Sequence, residues 1–167
     1  MNSISLDAVA ALTGIGRSTL WRRMADGALA KGEKDARGRA TLALGDALGL
    51  VRDGTRARLS DDDVAVLLQA DAGDAQAQVD VGALLYLGGA REAGLYWLQA
   101  AAEQGSAEAM QWLGTAHAGG GERDRQLAVM WVAKAAALGH PIAQRQLDGL
   151  LGAALAGQAP AAAHTPG

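Results

Sequence analysis

Residues Gly105–Gly139 read GSAEAMQWLGTAHAGGGERDRQLAVMWVAKAAALG, and parts of this pattern recur on either side of it. Upstream, Gly73 opens the string G-D-A-Q-A-Q-V-D-V-G; downstream, Gly139 opens G-H-P-I-A-Q-R-Q-L-D. Ala77, Ala109 and Ala143 fall in register, as do Val81, Leu113 and Leu147. The closing half repeats as well, with Trp97 on Trp131, Ala101 on Ala135 and Ala102 on Ala136. The starts at Gly73, Gly105 and Gly139 are spaced as in solenoids built from helix pairs, at roughly 34 residues per unit. Each unit therefore predicts two helices. Small Ala residues allow close approach, and Trp and Leu fill the space between units. Gly105 and Gly139 end a helix by taking the left-handed conformation. Gly88-Gly89 and Gly119-Gly120-Gly121 mark the turns inside the first and second units.

Composition agrees with an all-helical reading. The chain has 167 residues, room for one domain or two small ones; 50% are hydrophobic, only 4% are aromatic, and none is Phe. A core made of Ala, Leu and Val suits helices, because Ala is the best helix former and strands favour β-branched or aromatic residues. With no Cys there are no disulfides, thiolate zinc sites or Cys nucleophiles. His117, His140 and His164 are too scattered for a metal site, so neither metal nor cofactor is expected. The N-terminus carries no targeting signal and the apolar runs stop well short of the ~20 residues that span a bilayer. A cytoplasmic protein with no membrane partner is expected.

Working outward, Ser60 followed by Asp61, Asp62 and Asp63 predicts a helix start, with a cap and three carboxylates opposing the dipole. The junction is then Arg52–Leu59, giving an N-terminal module at 1–59 and a repeat domain at 60–156. From Gly157 the Pro- and Ala-rich sequence predicts a disordered tail, 157–167. Ile142, Leu147, Leu150, Leu151, Ala154 and Leu155 make a broad apolar stripe on the last helix. A buried capping face is the preferred reading of it over a dimer surface.

The two halves differ in charge. Residues 1–59 hold ten basic and six acidic side chains (+4), the remainder five and twelve (−7). This favours a polyanionic partner for the first module. Within it, Leu6, Val9, Ala10 and Leu12 predict a short helix capped by Ser5. Thr13-Gly14-Ile15-Gly16 predicts a tight turn, and a second helix starts near Arg17 with Leu20 and Met24 facing the core. Lys31–Arg39 is charged and Gly-rich, Ala40–Leu44 predicts a short strand, and Asp46-Ala47-Leu48 opens a closing helix. The alternative for the arginines is a solvated face on an ordinary three-helix unit.

Two resemblances sharpen this reading. Leu113 through Leu147, with Asp124, Ala128, Trp131, Lys134, Ala135, Ala136 and Gly139 in place, resembles the Sel-one-like repeat, a relative of tetratricopeptide repeats. The likeness covers roughly residues 73–156, and the first unit departs at Ala90, Gly94 and Ala100. It implies an adaptor whose repeats bind a protein partner. The string G-R-S-T-L-W-R-R-M-A-D-G-A-L from Gly16 resembles the recognition helix of MerR- and excisionase-type winged helix-turn-helix domains, with Arg37-Gly38-Arg39 at the wing tip. That likeness implies duplex DNA as partner. The implied contacts are Arg17, Ser18, Thr19, Trp21 and Arg22 from the helix, and Arg23, Arg37 and Arg39 on phosphates. Where Arg23 stands, the family often has an apolar residue.

The expected fold class is thus mainly α: an N-terminal winged helix-turn-helix followed by a short α-α superhelical repeat domain. The expected function is a bacterial-type DNA-binding transcriptional regulator or adaptor, with a homodimer expected because one small reading head makes few base contacts. The rival is an interaction scaffold whose N-terminal helices cap the repeats without touching DNA. An enzyme is not expected. Gly119-Gly120-Gly121 lacks the following Lys-Ser or Lys-Thr of a phosphate loop, His117 occupies a packing position, and no carboxylate pair or triad can be assembled.

Overall fold

The structure, a computed structural model, describes residues 3–54 and 59–157. Arg56, Arg58, His164 and all of the expected tail except Gly157 lie outside the described residues. The chain is mainly helical, with nine helices and one two-stranded sheet among the described residues. None of these helices is long and apolar enough to cross a membrane. The chain divides into two compact units, Met1–Ala109 and Met110–Gly167.

The first unit begins with β1 (Ser3–Ser5) and α1 (Leu6–Thr13). The Ser5 hydroxyl accepts the Ala8 N–H and so caps α1, and Gly14, at φ 71°, closes it. Leu6, Val9 and Leu12 are buried along one side of this helix. After the turn, α2 (Arg17–Ala25) buries Leu20 completely, while Met24 packs on the core from a half-buried position. β2 (Thr41–Ala43) then pairs antiparallel with β1, Ile4 opposite Leu42. Two further bonds, from Ala43 N–H to Ala30 O and from Gly32 N–H to Thr41 O, make residues 30–43 a hairpin. α3 (Leu44–Gly54) follows.

α4 (Asp61–Ala72) starts in a capping box: the Ser60 hydroxyl accepts the Asp63 N–H, and the Asp63 carboxylate accepts the Ser60 N–H. α5 (Ala75–Leu87), capped by Asp74, and α6 (Arg91–Glu103) form the first helix pair. Their crossing is a glycine pair. A Cβ on Gly94 would lie 2.7 Å from the Gly82 carbonyl oxygen, so the two backbones touch where any side chain would hold them apart. A single core cluster joins Ile4, Val9, Leu12 and Leu20 to Leu67, Ala70, Leu85 and Trp97. The expected 59/60 junction thus falls inside this unit. The physical reason is size, since a ~60-residue module buries only about 60% of its surface on folding and gains from sharing a core.

The second unit holds most of α7 (Ala107–His117), with α8 (Glu122–Ala137) and α9 (Pro141–Gly157). Gly114 and Ala128 occupy the repeat positions of Gly82 and Gly94. A Cβ on Gly114 would lie 2.6 Å from Val132 Cγ2. Gly73, Gly105 and Gly139, the three unit starts, all have positive φ (103°, 90° and 84°). The apolar stripe of α9 is not the buried cap expected. Ala143 is buried and Leu147 half-buried, but Ile142, Leu150 and Leu151 are exposed and Leu155 is 71% exposed. Within this unit the stripe is wider than its neighbours α7 and α8 can cover. His117 is half-buried with Nδ1 3.1 Å from Asp124 Oδ1. The His140 ring accepts the Ala143 N–H at the start of α9.

Candidate nucleic-acid interface

α2 is held by Leu20 on its inner side, and this fixes what it presents outward. Arg17, Ser18, Trp21 and Arg22 are all exposed, at the spacing i, i+1, i+4, i+5 that shares one helical face. Trp21 is 41% exposed, a large ring to leave in water. Arg17 pairs with Asp7 of α1 at 2.9 Å, while Arg22 has no ion-pair partner among the described residues. Thr19 and Arg23 are half-buried, and the Arg23 carbonyl accepts the N–H groups of Ala28 and Leu29 in the turn that ends the helix.

Lys31 joins this face. Its Nζ lies 5.9 Å from the centre of the Trp21 ring, brought there by the hairpin, and nothing in the spacing of the sequence pointed to it. A cation so placed over an indole is attracted to the ring face.

The hairpin tip lies against the end of α4. Asp35 Oδ1 accepts the N–H groups of Arg37 and Arg39, and Gly38 takes φ 74°, so the turn presents both guanidinium groups. Both reach the C-terminal end of α4. Arg37 Nη2 donates to Ala72 O at 2.8 Å, and Arg39 Nη2 donates to Asp71 O at 2.7 Å. A helix C-terminus carries unpaired carbonyls and the negative end of the dipole, so two cations are well placed there. Arg39 also bonds Asp35 Oδ2 at 2.6 Å and lies 3.2 Å from Asp71 Oδ1. The Asp71 carboxylate, nearly buried, accepts the Ser5 N–H at 2.7 Å and the Ser5 hydroxyl at 2.5 Å.

These contacts set the ionisation of the cluster. Burial opposes the charge on Arg39, but the Asp71 and Asp35 carboxylates outweigh it and raise its pKa above the ordinary arginine value. Burial likewise works against a charged Asp35. The bonds from Arg39 and from the Arg37 N–H prevail, and its carboxyl sits below the usual range. On α6, burial pushes the Tyr96 phenol up, and Asp7 and Asp71 push it further.

Of the eight side chains expected to meet DNA, α2 thus gathers Arg17, Ser18, Trp21 and Arg22 on one open face. Arg37 and Arg39 are engaged with α4. In the second unit a groove of about 470 Å³, mostly apolar, is lined by Gly114, Ala118, Val129, Val132, Gln146 and Leu150. No protein-family model, no curated protein and no solved structure matches the chain.

Proposed function

We propose that this protein is a cytoplasmic DNA-binding regulator or adaptor, with α1 and α2 as a helix-turn-helix and the later helix pairs as repeats that bind a protein partner. The observation that carries the reading is the open face of α2, where Arg17, Ser18, Trp21 and Arg22 stand beside Lys31. A guanidinium can donate two parallel bonds to a guanine edge, and Ser can bond base or phosphate. Lys31 and Arg23 suit phosphates, which give affinity and register but not selectivity. Arg17 would exchange Asp7 for DNA. Two copies on neighbouring half-sites would supply the contacts that one small head lacks.

A second reading has an observation of its own. Arg37 and Arg39 are tied to α4, and one core joins α1 and α2 to the helices that follow. Both features favour N-terminal helices that cap the repeats in a pure scaffold. The readings part in one experiment: fluorescence anisotropy of a labelled duplex across a salt series, with wild type and Arg17→Ala/Arg22→Ala. DNA binding by α2 requires affinity that falls with salt, at a log–log slope of about −0.9 per phosphate contact, and that the double variant loses. Absence of binding at low salt, or equal binding by the variant, favours the scaffold.

A further inference from the structure

We infer that the C-terminal turn of α4 is an intramolecular rival to DNA phosphate for the wing arginine Arg37. The inference rests on the DNA-binding reading and adds a regulation to it. The two wing arginines are held very differently. Arg39 is partly buried and bonds Asp35, Asp71 and the Asp71 carbonyl, so it anchors the hairpin. Arg37 is exposed, and among the described residues its guanidinium is held by one hydrogen bond, Nη2 to the neutral carbonyl of Ala72. A phosphate oxygen is the stronger acceptor for a guanidinium, because the bond is then charge-assisted on both sides. Arg37 can therefore be exchanged while Arg39 keeps the hairpin in place.

The seat for Arg37 depends on Gly73. This residue closes α4 at φ 103°, and a Cβ built there would overlap the Arg37 guanidinium. The absence of a side chain at Gly73 is what lets Arg37 lie on the helix end. As long as it does, the wing offers DNA one cation fewer, and the binding-competent state is only a fraction of the whole. Apparent affinity is reduced by that fraction, and unseating Arg37 restores it.

The test is Gly73→Ala and Gly73→Asn in the full chain, each with and without Arg37→Ala, read by anisotropy on a duplex. Asn is included because it tolerates positive φ better than Ala while adding the same Cβ. Circular dichroism identifies the variants that keep the wild-type helix content. The expected result is binding about three- to tenfold tighter than wild type, the scale of one released hydrogen bond. Adding Arg37→Ala should abolish the gain. The latch is overturned if both folded Gly73 variants bind no tighter than wild type, or if the gain survives Arg37→Ala. A wild type that does not bind DNA at low salt overturns the DNA reading and the latch together, a result distinct from wild-type binding that Gly73 variants leave unchanged.

Discussion

The Asp71 carboxylate is the point at which α4 holds both β1 and the hairpin, and Asp71→Ala should show how much of the first unit depends on it. The change leaves the Ser5 N–H, now 2.7 Å from Asp71 Oδ2, without its acceptor, in a residue that is fully buried. An unsatisfied buried donor costs about 1–3 kcal/mol. Arg39 loses one of two carboxylate partners. Breaking a fully buried ion pair costs about 3–5 kcal/mol, but the Arg39 side chain is 27% exposed and keeps Asp35, so only part of that applies. Together these give about 3 kcal/mol, or a fall in Tm of roughly 10 °C for a unit of this size. Urea unfolding followed by far-ultraviolet circular dichroism measures it. Asp71→Ala, Arg39→Ala and the double variant form a cycle in which the double should cost about 1–2 kcal/mol less than the two singles added. A loss below about 0.5 kcal/mol for Asp71→Ala, or simple additivity, would refute the idea that this cluster ties the elements together.

Other perturbations test other elements. Gly94→Ala puts a Cβ against the backbone oxygen of Gly82, which cannot yield, and should cost about 1–3 kcal/mol in urea unfolding. Gly149→Ala meets nothing within 4 Å in the middle of α9 and should stabilise the protein by about 0.5–1 kcal/mol in the same assay. Ser60→Ala removes the α4 cap and should cost about 1 kcal/mol near neutral pH. The bonds from Ser60 hold the Asp63 carboxyl below the usual carboxylate range, so this contribution is present above the unfolded-state value and is lost as pH falls through the folded-state one. The gap between wild type and Ser60→Ala should therefore narrow in acid denaturation. For Tyr96 the folded-state pKa lies above 10.0, so unfolding releases the phenolic proton more readily. Stability should decline as pH rises beyond about 10, and Tyr96→Phe should flatten that decline in a pH series of thermal melts.

The local features of the fold were legible because their causes are local. Ser5 and Ser60 cap the helices they precede, and glycines at 73, 105 and 139 take positive φ where the repeated pattern calls for a chain reversal. The burial of Leu20 fixed the outward side of α2 in the same way. What escaped notice depends on residues far apart in the chain. Asp71 reads in sequence as one more acid near a helix end, yet it closes on Ser5, 66 positions away. β1 is three residues long, too short for an alternating pattern, and exists because Thr41–Ala43 supplies its partner. Arg37 and Arg39 carry the same charge whether they face a phosphate or the end of α4, so composition alone assigns them equally well to either. On α9 the apolar stripe announced burial, but periodicity does not reveal how much neighbouring surface exists to cover it.

The central claim is that the open face of α2 reads duplex DNA, and selection from a randomised duplex pool tests it most directly. Wild type should enrich a defined base pattern, and Arg22→Ala should relax preference at one or two positions within it while leaving the rest, because a bidentate contact discriminates at the base it touches. Failure of wild type to enrich any pattern, or an identical pattern from Arg17→Ala, Arg22→Ala and wild type, would contradict it.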